Sequence, residues 1–265
     1  MFIPQRTAAS EEFPFQLRDG LLWVDVSMAN AGRPLHFLLD SGAEVSVIDR
    51  HTAQSLGIKL GPRVLVNGVQ ATEAGFWPQR VKAHTGDVTL PRRMLAVDLS
   101  VLGNACSQPV DGLIGADFFR DRIVQIDFAG RVVRLLTAQE AKEVTGESMA
   151  LDMRSCGMRV PVSVNGHQSQ WLRFDTGCAA ALHWVTSSVD PKLCRTQMAI
   201  GLTKLSLPAT MVSASLGSAK FENVPADLHD KEIFAGEAGL LGNGLLARFS
   251  QVTVDAKAGR LILTK

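Results

Sequence analysis

The stretches LLDSG (38–42) and FDTGC (174–178) decide the fold of this chain. In each, an apolar segment typical of a buried strand runs directly into an aspartate, a hydroxyl residue and a glycine. A carboxylate at the end of a buried strand is unfavourable unless hydrogen-bond donors compensate it, and a glycine lets backbone N–H groups turn toward the acid. One such tripeptide is a common turn sequence, so the second copy carries the argument.

The two stretches belong to an internal repeat that spans most of the chain. The first half contains, in order, the segments 21–28, 34–48, 111–119 and 123–135, and the second half contains their counterparts 160–166, 170–184, 239–249 and 252–263. Asp175 follows Asp40 by 135 residues, whereas Gly242 follows Gly115 by 127, so the intervening loop is shorter in the second half. Four elements in the same order predict two similar units of about 130 residues each.

Most of the repeated segments are predicted to be strands, because they are short, apolar and bounded by Gly, Pro or Asn. Short helices are expected at 49–57 and 115–121, and the polar segment 137–148 is expected to connect the halves. The sequence therefore predicts a mostly β, bilobal fold with few short helices. We place the N-terminal lobe at 1–143 and the C-terminal lobe at 144–265.

The last element of each half is predicted to be a β-hairpin. The segments QIDFAGRVVRL (125–135) and TVDAKAGRLIL (253–263) each contain two apolar stretches around a tight turn. We expect Gly130 and Gly259 to take the positive φ that such turns require, because glycine adopts it without a steric cost.

Composition and charge exclude several classes of protein. Hydrophobic residues make up 46% and charged residues 20% of the chain, as in globular rather than disordered proteins. A formal net charge of +1, with Lys and Arg spread along the chain, gives no concentrated surface for nucleic acid, which is not expected as a partner. No apolar stretch predicts a membrane segment or a signal peptide. We expect a soluble protein, and leave cytoplasm and periplasm open.

The cysteines and histidines predict no metal site. The four cysteines form no CxxC pair, and the six histidines show no HExxH or other ligand spacing. Four cysteines permit two disulfides without requiring them, so the redox compartment stays open.

The two Asp-hydroxyl-Gly elements resemble the active-site loops of pepsin-like and retroviral-protease-like aspartic peptidases. The resemblance runs from about residue 20 to 263 and includes the apolar-apolar-Gly elements that end at Gly115 and Gly242. In that family each lobe supplies one such loop, and the apolar-apolar-Gly strand threads beneath it. Lobes this short are similar to two fused retroviral-protease-like units. By analogy with the family, we expect a bacterial peptidase.

The resemblance also implies a site and a mechanism. The residues that match the family's active-site loops are the catalytic carboxyls Asp40 and Asp175, the cross-braced hydroxyls Ser41 and Thr176, and the turn glycines Gly42 and Gly177. Two carboxyls about 3 Å apart share one proton and titrate as a coupled pair. A water between them would be activated by the ionised partner while the protonated partner stabilises the oxyanion, so no cofactor is expected.

The family covers its cleft with a β-hairpin flap, which closes on the substrate. The candidate flap of the first half is 64–82, with Gly68 and Gly75 bracketing the tip and Phe76 and Trp77 beside it. The chain has no tyrosine, so the flap tyrosine of pepsins is missing and Phe76 or Trp77 can replace only its bulk. The second-half counterpart, near 199–211 around Pro208, is predicted to be shorter.

Two functions follow from the resemblance. The first is an aspartic endopeptidase that cleaves polypeptide substrates and acts as a monomer, because both aspartates lie on one chain. The alternative is a non-catalytic peptide-binding pseudopeptidase of the same fold. The atypical flap favours the alternative, whereas retention of both aspartates and both hydroxyls favours catalysis.

Overall fold

The computed structural model describes residues 11–68, 71–154, 157–186, 195–200 and 204–265. Within those residues, strands predominate and the helices are short. The strands of the first half are β1 (Glu11–Pro14), β2 (Gln16–Arg18), β3 (Leu21–Met28), β4 (Leu35–Leu39), β5 (Val47–Asp49), β6 (Arg63–Gly68), β7 (Ala71–Phe76), β8 (Ala83–Thr85), β9 (Val88–Thr89), β10 (Leu95–Val97), β11 (Gly112–Ile114), β12 (Ile123–Asp127) and β13 (Val132–Leu136). The strands that follow are β14 (Glu147–Ala150), β15 (Asp152–Arg154), β16 (Gly157–Val164), β17 (Gln170–Phe174), β18 (Leu182–Val185), β19 (Arg195–Ile200), β20 (Lys204–Leu216), β21 (Ala219–His229), β22 (Gly239–Leu241), β23 (Gln251–Asp255) and β24 (Arg260–Thr264). The helices are α1 (Arg50–Ser55), α2 (Ser100–Gly103), α3 (Ala116–Phe119), α4 (Glu140–Glu143) and α5 (Asn243–Leu246).

The described strands form three sheets, which confirms the predicted mostly β, bilobal architecture. A ten-stranded sheet contains β2 to β11 of the first half, and an eight-stranded sheet contains β15 to β22 of the second. Both sheets repeat one local order, β5-β11-β4 in the first and β18-β22-β17 in the second. The repeat in the sequence is therefore a repeat in topology.

The apolar-apolar-Gly elements lie beside the strands that lead into the two loops. β11 pairs in parallel with β4, and β22 pairs in parallel with β17. The backbone N–H of Asp40 donates to Ile114 O (2.9 Å), and that of Asp175 donates to Leu241 O (3.0 Å). The neighbouring strand thus fixes the backbone of each aspartate, independently of the contacts that the side chain makes.

A six-stranded sheet joins the halves. Its order is β1-β13-β12-β23-β24-β14, and β12 pairs antiparallel with β23 at the junction. There the buried Gln125 amide donates to Thr253 Oγ1 (3.2 Å). The expected connector contains α4 and then enters this sheet as β14. The lobe boundary near residue 143 stays a prediction, because the shared sheet uses strands from both sides of it.

The final hairpins of the two halves turn differently. Gly259 has a φ of 63°, as predicted, but in the first hairpin Arg131 takes the positive φ (58°) and the expectation for Gly130 is wrong. The Asp127 carboxylate accepts the Gly130 N–H at 2.7 Å, and this side-chain bond forms the first part of the turn. The left-handed residue consequently falls one position later.

The main apolar core extends through both halves and includes buried residues of all three sheets, such as Phe37, Phe174 and Val254. α1 begins after Asp49, whose carboxylate accepts the Thr52 N–H at 2.9 Å, and the chain leaves it at Gly57 with a φ of 73°. Among the described residues, no helix has the length and apolar character needed to cross a bilayer.

Candidate active site

A symmetric set of hydrogen bonds joins the two Asp-hydroxyl-Gly loops. Ser41 N–H donates to Thr176 Oγ1 (2.9 Å), and Thr176 N–H donates to Ser41 Oγ (3.0 Å). The Ser41 hydroxyl donates to Phe174 O at 2.8 Å. The Thr176 hydroxyl donates to Leu39 O at the same distance, 2.8 Å. Both hydroxyl residues are fully buried, so every one of these bonds is shielded from water.

Gly42 and Gly177 are required by close approach between the halves. A Cβ added to Gly42 would lie 2.4 Å from Asp175 Cγ, and one added to Gly177 would lie 2.3 Å from Asp40 Cγ. Neither glycine has a positive φ. Each loop therefore uses its glycine to make room for the carboxyl of the other half, which places the side chains of Asp40 and Asp175 close enough to shift each other's pKa.

The environments of the two carboxyls are unequal. Asp40 Oδ1 accepts the N–H groups of Gly42 and Ala43 (3.0 Å each), whereas Asp175 Oδ1 accepts that of Gly177 (2.9 Å). Burial raises the pKa of Asp40. Burial together with the adjacent Asp40 charge raises the pKa of Asp175 to about 8. We call Asp40 and Asp175 together the dyad. Because the pKa of Asp175 is raised to about 8, this carboxyl keeps a proton at neutral pH.

Comparisons with known proteins agree with this geometry. Residues 24–118 match the model of a family described as aspartyl protease. The chain is similar in structure to basic 7S globulin from soybean, with a TM-score of 0.59 over 96% of this chain and 94% of that one, at 9% sequence identity. The predicted resemblance to the pepsin-like and retroviral-protease-like aspartic peptidases is confirmed. No curated protein sequence matches the chain.

In this aspartic-peptidase fold, the candidate flap is the hairpin of β6 and β7. Six residue pairs join its strands, from Arg63 opposite Phe76 to Gly68 opposite Ala71. Gly68 is the last described residue of β6, and residues 69 and 70, where the tip is predicted, lie outside the described residues. Gly75 is opposite Val64, near the open end of the hairpin, so its predicted position at the tip is wrong.

The two aromatic residues of the candidate flap lie at its base. Phe76 is partly buried against the main core. Trp77 packs in a second apolar cluster with Val64 and Val66, and the Arg93 guanidinium lies 4.9 Å from the centre of its ring. The flap role of all four predicted residues stays a prediction.

The corresponding hairpin of the second half is formed by β19 and β20. Among the described residues it has six residue pairs, from Arg195 opposite Ala209 to Ile200 opposite Lys204, which equals the first-half hairpin. The expectation of a shorter second hairpin is therefore wrong. Pro208, opposite Thr196, suggested an early end to the strand, but β20 continues beyond it to Leu216.

Sequence reasoning missed two buried polar residues beside the loops. Asn243 donates through Nδ2 to Thr176 O (2.7 Å) and to Gly20 O (2.9 Å), which ties the second loop to the start of the chain. Arg173 donates to Gly42 O in the first loop at 2.9 Å. In the repeat these positions correspond to Ala116 and Leu38, so a comparison of the halves residue by residue would have found both.

In the part of the chain that the structure describes, one group of potential metal ligands lies outside the loops. Asp49, His51 and Asp98 offer ligand atoms within 4.8 Å of one another. The Asp49 carboxylate already accepts two backbone N–H groups, and Asp98 pairs with Arg50 at 2.8 Å. These contacts account for both carboxylates, and we assign no metal to the group. The prediction of no metal stays a prediction.

Of the four cysteines, Cys106 and Cys178 are free thiols, whereas Cys156 and Cys194 lie outside the described residues. Cys178 directly follows the second loop and is buried. Burial raises the pKa of its thiol well above the ordinary value, so it stays neutral beside the dyad.

Proposed function

We propose that the protein is an aspartic endopeptidase in which Asp40 and Asp175 activate one water for attack on a peptide bond. The observation that supports the proposal is the contact between two carboxyls that each half of the chain presents on a rigid, cross-braced loop. Such a pair retains one proton where isolated carboxyls would have lost theirs, and supplies a base and an acid at once.

The two aspartates have different roles in the proposed reaction. Asp40 accepts two backbone N–H bonds, which favour its charged form, and acts as the base that takes a proton from the water. Asp175, with its pKa near 8, gives its proton to the carbonyl oxygen as the water oxygen bonds to the carbonyl carbon. Collapse of this tetrahedral intermediate breaks the C–N bond, and the leaving nitrogen takes a proton from Asp40. One hydroxyl of the intermediate gives its proton back to Asp175 as the new carbonyl forms, which restores the pair.

The apolar residues around the first loop support an extended polypeptide substrate with apolar side chains. Ala43 of the loop and Val64 and Val66 of the β6 strand pack in one cluster. Because alternate residues of a strand share a face, Leu65 points the other way and is 70% exposed. The hairpin thus turns an apolar face toward the first loop. Both loops come from one chain, so we propose a functional monomer.

The proposal is tested by cleavage of an unfolded polypeptide from pH 3 to 9, with and without a statine-type inhibitor. We expect inhibitor-sensitive products from the wild type and a loss of at least about 1,000-fold in kcat for Asp40→Asn and Asp175→Asn, because each removes one half of the acid–base pair. Asp25→Asn is the matched control, since Asp25 lies on β3 and its exposed carboxylate bonds His36. Full activity in a folded Asp175→Asn protein would refute the proposal.

The alternative, a peptide-binding pseudopeptidase, is favoured by the absence of tyrosine and by the position of Phe76 and Trp77 at the base of the hairpin. The same experiment decides between the two functions. Saturable binding of the inhibitor or of an apolar peptide, with no cleavage at any pH, would establish the binding module in place of the peptidase.

A further inference from the structure

A buried arginine lies directly behind the dyad. Arg173 belongs to β17, two residues before Asp175, and only 2% of its surface is exposed. The matching position of the first half is Leu38, which is buried in an apolar cluster. A charge at a buried position is costly unless it is paired and hydrogen-bonded. The repeat is therefore broken at this point by a residue that the fold alone does not require.

The guanidinium of Arg173 reaches across to the first loop. Its Nη1 donates to Gly42 O at 2.9 Å. Gly42 is the residue whose Cα faces the carboxyl of Asp175, since an added Cβ would come within 2.4 Å of Asp175 Cγ. Arg173 thus holds the first loop at the point where that loop contacts the acid of the second half.

The opposite edge of the guanidinium is fixed by Glu237. Arg173 donates through Nε (2.7 Å) and Nη2 (2.8 Å) to the two oxygens of this carboxylate, which is itself only 5% exposed. The Phe234 ring lies against the guanidinium, with Cζ 3.7 Å from the ring centroid. The bidentate ion pair and the stacked ring fix the guanidinium of Arg173 in one orientation, in which Nη1 points toward Gly42.

The neighbouring charges are paired separately. Arg159 on β16 is opposite Arg173 and donates to Asp152 on β15 at 2.8 Å. The nearby Cys178 thiol is neutral because burial raises its pKa. Among the described residues, Arg173 is the cation that lowers the pKa of both dyad carboxyls and opposes the effect of their burial.

We propose that Arg173, oriented by Glu237, is a positioning residue for the dyad. It fixes the first loop through the Gly42 carbonyl and supplies the positive charge that keeps one of the two carboxyls ionised. The inference rests on the proposed function in that it concerns the same dyad. The proposal goes beyond that function because it assigns a role to Arg173 of the second half, whereas the matching residue of the first half, Leu38, is apolar.

Two variants are expected to shift the lower pKa of the dyad in opposite directions. The first removes the cation that lowers the pKa of both carboxyls together with its partner and leaves the net charge unchanged, whereas the second removes only a negative charge. Arg173→Met with Glu237→Leu replaces the ion pair by apolar side chains of similar volume, which the fold can tolerate. Glu237→Gln keeps an acceptor for Arg173 but removes the neutralising charge. Asp152→Asn is the matched control, because it removes a carboxylate from the adjacent Arg159 pair.

The readout is the titration of the dyad by NMR of ¹³C-labelled aspartate carboxyls, assigned with Asp40→Asn and Asp175→Asn. We expect the lower pKa of the dyad to rise by about one pH unit in the double variant and to fall by a similar amount in Glu237→Gln, with little change in Asp152→Asn. A purely structural ion pair would alter stability and leave the lower pKa unmoved. Unchanged titration in the folded variants would overturn the proposal, and Glu237→Gln alone suffices if the double variant does not fold.

A third variant isolates the positioning of the loop. Arg173→Lys keeps the charge, but an ammonium group cannot form a bidentate pair with Glu237 and also donate to the Gly42 carbonyl. We expect a titration close to that of the wild type and a kcat lower by about tenfold, with KM little changed. Wild-type kcat in this variant would overturn the positioning role. The NMR titration needs no turnover, so a wild type that cleaves nothing would refute the proposed function and leave this inference to be decided by its titration.

Discussion

At the scale of single residues, the hydroxyls of Ser41 and Thr176 connect the two loops. Each accepts a backbone N–H from the opposite loop and donates to a backbone carbonyl of the opposite strand, entirely out of contact with water. Buried backbone groups that lose such a partner cost the full desolvation penalty. These two side chains therefore fix the distance between the loops, and with it the contact between Asp40 and Asp175.

Replacement of Thr176 by valine tests this role. Thr176→Val keeps the shape of the side chain but leaves the Ser41 N–H and Leu39 O without their partner, so we expect the free energy of unfolding to fall by about 2–4 kcal/mol. Chemical denaturation measures the loss. Thr176→Ser, which retains the hydroxyl, is the control and should lose much less. Equal stability of the two variants would show that the cross-brace contributes little.

At the scale of elements, the sequence predicted what local patterns encode. The apolar segments that end in Asp-hydroxyl-Gly form β4 and β17 with their loops, and the segment capped by Asp49 forms α1, as the sequence predicts. Features that depend on the other half could not be predicted in this way. Gly42 is needed because a carboxyl 133 residues later contacts it, and Arg173 is paired with Glu237, 64 residues away. The register of the β6–β7 hairpin follows from pairing along the whole strand, which left Gly75 away from the tip.

The strand beneath each loop offers a test at the same scale. A Cβ on Gly115 would lie 2.4 Å from the Val45 carbonyl carbon and 2.6 Å from its oxygen, so backbone must move to admit it. We expect Gly115→Ala to lower the free energy of unfolding by about 1–3 kcal/mol and to reduce cleavage, because the displaced segment follows Asp40. Gly32→Ala is the control, since no atom lies within 4 Å of its added Cβ. Matching stability and activity in the two variants would contradict this account of the strand.

At the scale of the whole molecule, the dyad exists only when the two halves are docked. The shared six-stranded sheet joins them along β12 and β23, and the bonds of Ser41 with Thr176, of Arg173 with Gly42 and of Asn243 with Gly20 join them at the site. Burial of two carboxyls in one place opposes folding, and the surrounding contacts must offset that cost. The raised pKa of Asp175 is consequently a property of the folded molecule, and the stability of the fold should depend on the proton that this carboxyl retains.

The most direct test is the stability of the wild type and of Asp175→Asn from pH 4 to pH 9. In the folded protein the pKa of Asp175 is raised to about 8 from an ordinary value of 3.8, so between these values the folded state binds a proton that the unfolded state has released. The free energy of unfolding of the wild type should therefore fall as the pH rises through this window, and level off above about pH 8. Asp175→Asn cannot take up this proton; its stability should fall less, and it should exceed the wild type by about 2 kcal/mol at pH 8. Parallel stability curves for the two proteins would contradict the account, because they would show that the folded chain holds no shared proton between Asp40 and Asp175.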